Sequence, residues 1–110
     1  MAYYKAQVTD GNPITPIAIN TSYKDSKLVM VNICNNAANT VAIDVYLYDA
    51  SNEYFIIKGV DIPTKTTLIL DNEIQFDNST TGVKIHGAAS SGSEDYDVIL
   101  TYELKRKINR

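Results

Sequence analysis

Lys27-Leu-Val-Met-Val-Asn-Ile-Cys34, the polar run Asn35-Asn-Ala-Ala-Asn-Thr40, and Val41-Ala-Ile-Asp-Val-Tyr-Leu-Tyr-Asp49 form the stretch that decides the fold. Both flanking arms are β-branched and aromatic, a composition that suits a pleated surface. In the second arm Val41, Ile43, Val45 and Leu47 point one way, and Ala42, Asp44, Tyr46 and Tyr48 the other. A period of two is the signature of a strand with one face buried. At roughly 3.3 Å per residue each arm spans about 26–30 Å. Asparagine tolerates positive φ and bonds its own backbone, which is what a reversing chain needs. Together the three pieces predict a hairpin on which the shorter strands pack.

Working outward, the N-terminal side is irregular. Met1–Asn12 opens with Tyr3 and Tyr4 and ends in Asp10-Gly-Asn-Pro13. It reads as an extended arm, over about residues 1–20. Pro13 and Pro16 lack the ladder donor, which places Ile14–Asn20 at a sheet edge. On the C-terminal side, Tyr54–Lys58 is a short strand closed by Gly59. Val60–Pro63 is an extended link, and Thr64–Leu70 a strand. Glu73–Phe76 and Val83–His86 alternate briefly. Ala88–Asp95 is small and polar and reads as the most mobile loop. In Tyr96–Leu104 the residues Tyr96, Val98, Leu100, Tyr102 and Leu104 share one side, and Ile99 breaks the polar pattern of the other. Lys105–Arg110 is a basic tail. No window sustains a helical period. About seven to nine short strands separated by turns imply an all-β antiparallel sandwich or jelly roll.

The 110 residues suit one domain, with a core large enough to need no disulfide or metal staple. A hydrophobic fraction of 45% against 21% charged residues is globular rather than disordered. The net charge of −3 argues against a general nucleic-acid partner. The lone Cys34 cannot form an internal disulfide, which suits a reducing cytosol or assembly there. No apolar run reaches the ~20 residues of a membrane helix, and Met1–Gln7 lacks the apolar core of a secretion signal. Neither membrane nor export is expected.

Candidate chemistry is sparse. His86, the one histidine, has no His-x-His or Glu-x-x-His companion and reads as an outward-facing strand residue. Cys34 lacks an activating neighbour and reads as a small buried hydrophobe ending a strand. Asp71, Glu73 and Asp77, with Asn72 and Asn78, make an oxygen-rich turn, but neither spacing nor a central Gly matches a calcium loop. No catalytic residue, cofactor or metal is assigned. Asn20-Thr-Ser22 and Asn78-Ser-Thr80 match the glycosylation pattern, which carries no weight without export. The eight tyrosines are more informative. Tyr46 and Tyr48, beside Asp44, lie opposite the aliphatic stripe. Two readings stand: a face covered by the N-terminal arm, or a subunit interface. Lys105, Arg106 and Lys107 read first as a solvated tail, then as a protein contact, and last as a nucleic-acid contact.

Gly59-Val-Asp-Ile-Pro-Thr-Lys-Thr-Thr-Leu-Ile-Leu-Asp-Asn-Glu-Ile-Gln-Phe76 resembles a run in small structural proteins of tailed bacteriophages, notably those of cyanobacteria and marine bacteria. Ile14-Thr-Pro16, Val31-Asn-Ile-Cys-Asn-Asn36 and Val98-Ile-Leu-Thr-Tyr102 extend the resemblance over roughly Ile14 to Tyr102. The resemblance implies a non-enzymatic virion component, assembled in the host cytoplasm, with a β-sandwich or jelly-roll core. Head decoration or cement is the leading expectation; a neck, connector or tail part is the alternative. Its partners would be the major capsid protein, or neck and tail subunits, and further copies of itself. A glycan- or ligand-binding module using Asn35–Thr40 and Ala88–Asp95 is a second class. The expected contact residues are Tyr3, Tyr4, Ile14, Tyr46, Tyr48, Lys105, Arg106 and Lys107.

Overall fold

Alternating apolar residues bury one side of each strand, so the chain closes two sheets on each other. A computed structural model describes residues 1–89 and 92–107. Its strands are β1 (Ala2–Val8), β2 (Ile14–Ile17), β3 (Asp25–Asn35), β4 (Val41–Tyr48), β5 (Glu53–Ile62), β6 (Thr67–Leu70), β7 (Ile74–Asp77), β8 (Gly82–Ala89) and β9 (Tyr96–Glu103). The first sheet runs β1-β9-β3-β6, with β7 also on β3; the second runs β2-β8-β4-β5. Every pairing is antiparallel. The chain is in effect folded back on itself near β4 and β5 and then rolled: β1 finds β9, β2 finds β8, and β3 finds β6 and β7. That is the double Greek-key pattern of a jelly roll, in agreement with the fold class expected from the alternation.

The core lies between the sheets. Val31, Ile33, Tyr96, Val98 and Leu100 come from the first sheet; Val41, Ile43, Val45, Val83 and Ile85 come from the second. The ring of Tyr96 crosses the sandwich to Gly87, where an added Cβ would stand 2.5 Å from a ring carbon. Gly87 is therefore the space that the tyrosine fills.

Several expectations change. First, Lys27–Asp49 is not a hairpin. β3 bonds to β6, β7 and β9, and β4 to β5 and β8, so the two arms face each other across the core. Period two fixes which side of a strand is buried; it does not fix its hydrogen-bonded neighbour. Asn35 holds the crossing. Its amide donates to the carbonyls of Asn39 and Ile62, both at 2.9 Å, and its oxygen accepts the Ala37 N–H at 2.8 Å. Second, the supposed arm is partly sheet: Ala2–Val8 is a full edge strand, in register with β9 from Ala2↔Tyr102 to Val8↔Tyr96. Tyr4 and Ala6 pack against the core, and Val8 lies within it. Third, Gly59 does not close a strand. It sits inside β5 at φ 62°, where the register with β4 shifts, and its N–H donates to Asp44 at 2.7 Å. A left-handed glycine in mid-strand is a bulge.

The stretch expected to be the most mobile loop also resolves differently. Ala88 and Ala89 finish β8, and the buried Glu94 accepts the Ala89 N–H at 2.7 Å. Ser90 and Ser91 lie outside the described residues, as do the last three residues of the tail.

Candidate interaction surfaces

The two outer faces differ in kind. On the second sheet, Asp44 stands opposite His86, and Tyr46 stands between Lys84 and Phe55. The Tyr46 and Phe55 rings pack at 5.1 Å, tilted by 44°. Lys58 lies 4.5 Å over Phe55, and Lys84 lies 4.7 Å over Tyr48. Tyr46 is consequently only 5% exposed. Burial, then the nearby charges of Glu53 and Asp44, push its phenol above the usual tyrosine range. Neither expected cover is needed. Of the N-terminal segment, Ala2–Val8 is in the other sheet and Ile14–Ile17 is an edge strand of this one, and Tyr46 is covered by side chains of its own sheet while Phe55 stays 39% exposed. Tyr46 thus has little surface left to offer a partner.

His86 does face outward, but it is tied down. Nε2 lies 2.9 Å from the Gly11 carbonyl, and Nδ1 lies 3.6 Å from Asp44, which already holds the Gly59 N–H. The ring thereby staples the β1–β2 connection onto the second sheet. Asp44 is half-buried in this network.

The outer face of the first sheet is barer. Register aligns Lys5, Ile99, Asn32 and Ile69 in one row, and Tyr3, Thr101 and Met30 in the next. A third row holds Gln7, Asp97, Cys34 and Thr67. Tyr3 is 73% exposed, Ile69 57% and Ile99 53%. Ile99 and Ile69 stand on either side of β3, about 10 Å apart at two interstrand spacings. Of the formally charged residues, these rows hold Lys5 and Asp97. One end is fenced by ions, with Lys27 at 3.6 Å from Glu73 and 3.5 Å from Glu103. An apolar centre with an ionic rim is the anatomy of an interface.

Of the expected contact residues, Tyr3 lies on this face. Tyr4 and Ile14 pack against the core, and Tyr48 lies under Lys84. Lys105, Arg106 and Lys107 are exposed side chains on a backbone that is held. The Lys105 carbonyl accepts the Lys24 N–H at 2.8 Å, Arg106 bridges to Tyr23, and the Lys107 N–H reaches Ser22 at 3.0 Å. Ile69, Ile99 and Met30 were missed. The signal was present in Ile99, the one apolar residue on the polar side of its strand.

The other candidates take structural roles. Cys34 is half-buried on the outer face rather than in the core, with Sγ 3.7 Å from Asn36 Oδ1. The alternation of β3 turns it outward, away from Ile33 and Asn35. Asp77 accepts the hydroxyl and the N–H of Ser79, bonds that hold its carboxyl below the usual range with help from Lys107 and Lys24. Glu73 is engaged with Lys27. Among the described residues no three His, Cys, Asp or Glu side chains converge on a metal position. Asn78, in a glycosylation pattern, is fully buried and donates to the carbonyls of Ala18 and Thr81 at 3.1 and 3.0 Å.

No protein-family model matches the chain. No curated protein sequence matches it either. Solved structures do match in fold. A chain from the acid-stable capsid of Helicobacter pylori bacteriophage KHP30 aligns with TM-score 0.63 at 11% identity, over 98% of this chain and 90% of that one. The Drosophila NLP core, a structure bearing on pentamer formation and histone binding, aligns with TM-score 0.59 at 16% identity, over 96% and 98%. A subunit of the disulfide-linked pili that form Bacillus endospore appendages aligns with TM-score 0.57 at 9% identity, over 96% and 88%. At these identities the likeness is one of fold.

Proposed function

We propose that the protein is a non-enzymatic structural component of a bacteriophage virion, acting as a decoration or cement protein on the head. The observation that carries this reading is the bare face of the β1-β9-β3-β6 sheet, where Tyr3, Met30, Ile69 and Ile99 stand exposed between ionic and polar rims. Burying one such isoleucine contributes roughly 1.5–3 kcal/mol. A single joint of this size is weak, but copies held on one shell act at high effective concentration. The phage-type motifs across Ile14–Tyr102 and the fold likeness to a phage capsid chain support the same reading.

The occupant of the face is a neighbouring subunit of the shell, the major capsid protein. A neck or tail ring is the second reading. It is favoured by the fold likeness to the NLP core, a protein linked to pentamer formation. Immunogold labelling of gradient-purified phage particles with an antibody to this chain tests the proposal. Gold over the whole head surface is the expected result. Gold confined to the neck or tail supports the ring, and unlabelled particles overturn both.

A further inference from the structure

Four positions end the two sheets, and three are guarded against further pairing. β2 is four residues long and carries Pro16. β5 is broken by the Gly59 bulge. The far edge of the first sheet is split into β6 and β7, four residues each, with Asp71-Asn-Glu73 between them. Short strands, prolines, bulges and charges are the usual ways of blunting an edge. β1 has none of these except Lys5. It is seven residues of Ala-Tyr-Tyr-Lys-Ala-Gln-Val, without proline or glycine, in unbroken register with β9. Among the described residues β9 is its one backbone partner, so the outer row of N–H and C=O groups is open.

We propose that this edge is a self-association seam, where β1 of one copy pairs antiparallel with β1 of a second about a twofold axis. The register follows from two constraints. Both cores must stay on the same side of the joined sheet, so inward Tyr4, Ala6 and Val8 can oppose only inward residues. The register that places Lys5 opposite Lys5 sets like charges against each other, which is destabilising. Moving one inward-outward repeat toward the N-terminus removes that clash. Tyr4 then meets Tyr4 at the axis, and Tyr3 of each copy stands opposite Lys5 of the other. An ammonium beside an exposed tyrosine ring is a favourable contact, and the axis repeats it. The seam joins two first sheets and doubles the apolar face. It rests on edge geometry and stands apart from the virion reading.

The test uses the full chain. Sedimentation velocity across rising concentration is expected to show a reversible dimer, which Lys5→Gln weakens roughly 5- to 30-fold by removing two symmetry-related cation–π contacts. The register is read by cysteine pairing in a Cys34→Ser background. Residues directly opposite stand about 4.5–5.5 Å apart at Cβ and diagonal neighbours about 7–8 Å, so only the opposite pair approaches disulfide reach. Oxidising a mixture of Tyr3→Cys and Lys5→Cys chains is expected to give more covalent dimer than either alone. Both side chains are exposed, and circular dichroism checks that each variant is folded. A chain that stays monomeric at every concentration, or a dimer whose mixed oxidation gives no excess, overturns the seam. Neither result bears on whether the protein decorates a head.

Discussion

Two buried asparagines tie the sandwich together. Asn35 closes the crossing from β3 to β4 and reaches the end of β5 through the Ile62 carbonyl. Asn78 closes the β7–β8 turn and reaches the end of β2 through Ala18. Asn35→Ala would remove the donor to the Ile62 and Asn39 carbonyls and the acceptor of the Ala37 N–H. Losing the two buried bonds, to Ile62 and Ala37, costs about 2–4 kcal/mol together, read as a lower urea midpoint at unchanged slope. Exposed Asn36→Ala, one residue on, should stay within about 0.5 kcal/mol of the parent. The buried bond that most sets Asn35 apart was not legible locally, because the Ile62 carbonyl lies 27 positions away. Tyr96 gives a pH test. Burial pushes its phenol up to about 12 from an ordinary value of 10. A raised pKa means stability that is full below pH 10 and is lost as pH rises towards 12. Two units correspond to roughly 3 kcal/mol, so alkaline unfolding should set in across that window and shift in Tyr96→Phe.

At the scale of elements, the alternation in Val41–Tyr48 and Tyr96–Glu103 was enough to place strands and to say which side faces the core. It was not enough to choose partners. The β3–β4 crossing looks locally like a hairpin turn, and only the competition of β6, β7 and β9 for the edges of β3 decides otherwise. For the same reason β1 could not be told from a loose arm. Its inner residues, Tyr4, Ala6 and Val8, make only a short and uneven apolar stripe, and what gives them a place is β9 at the far end of the chain. Deleting Met1–Asn12 would therefore strip an edge strand and uncover core. Its expected outcome is a broad, weakly cooperative thermal transition rather than a trimmed but intact fold. The β7–β8 turn supplies the acid test. Ser79 holds the Asp77 carboxyl below its ordinary value. A lowered pKa means stability that is present above about pH 4 and is lost as pH falls through the folded value. Asp77→Asn should flatten the fall of urea midpoint with acidification.

At the scale of the molecule, what distinguishes this jelly roll is the unequal finish of its two faces. The second sheet covers Tyr46, with lysines over aromatic rings and His86 bound between Asp44 and Gly11, and leaves Tyr54 and Phe55 exposed at its β5 edge. The first sheet leaves two isoleucines, a methionine and a tyrosine in the open. Residues exposed by more than half hold up little of the fold, so Ile69→Ser and Ile99→Ser should change stability by about 0.5 kcal/mol or less. Their cost should appear in association. That contrast makes the pair the sharpest probe of a role in assembly. The decisive measurement is quantitative mass spectrometry of gradient-purified particles carrying either the parent chain or the folded Ile69→Ser/Ile99→Ser variant. The parent should be present at many copies per particle and the variant depleted by at least about tenfold, as the loss of roughly 1.4 kcal/mol at each joint requires. A parent chain absent from the particles, or a variant retained at full occupancy, would contradict the account.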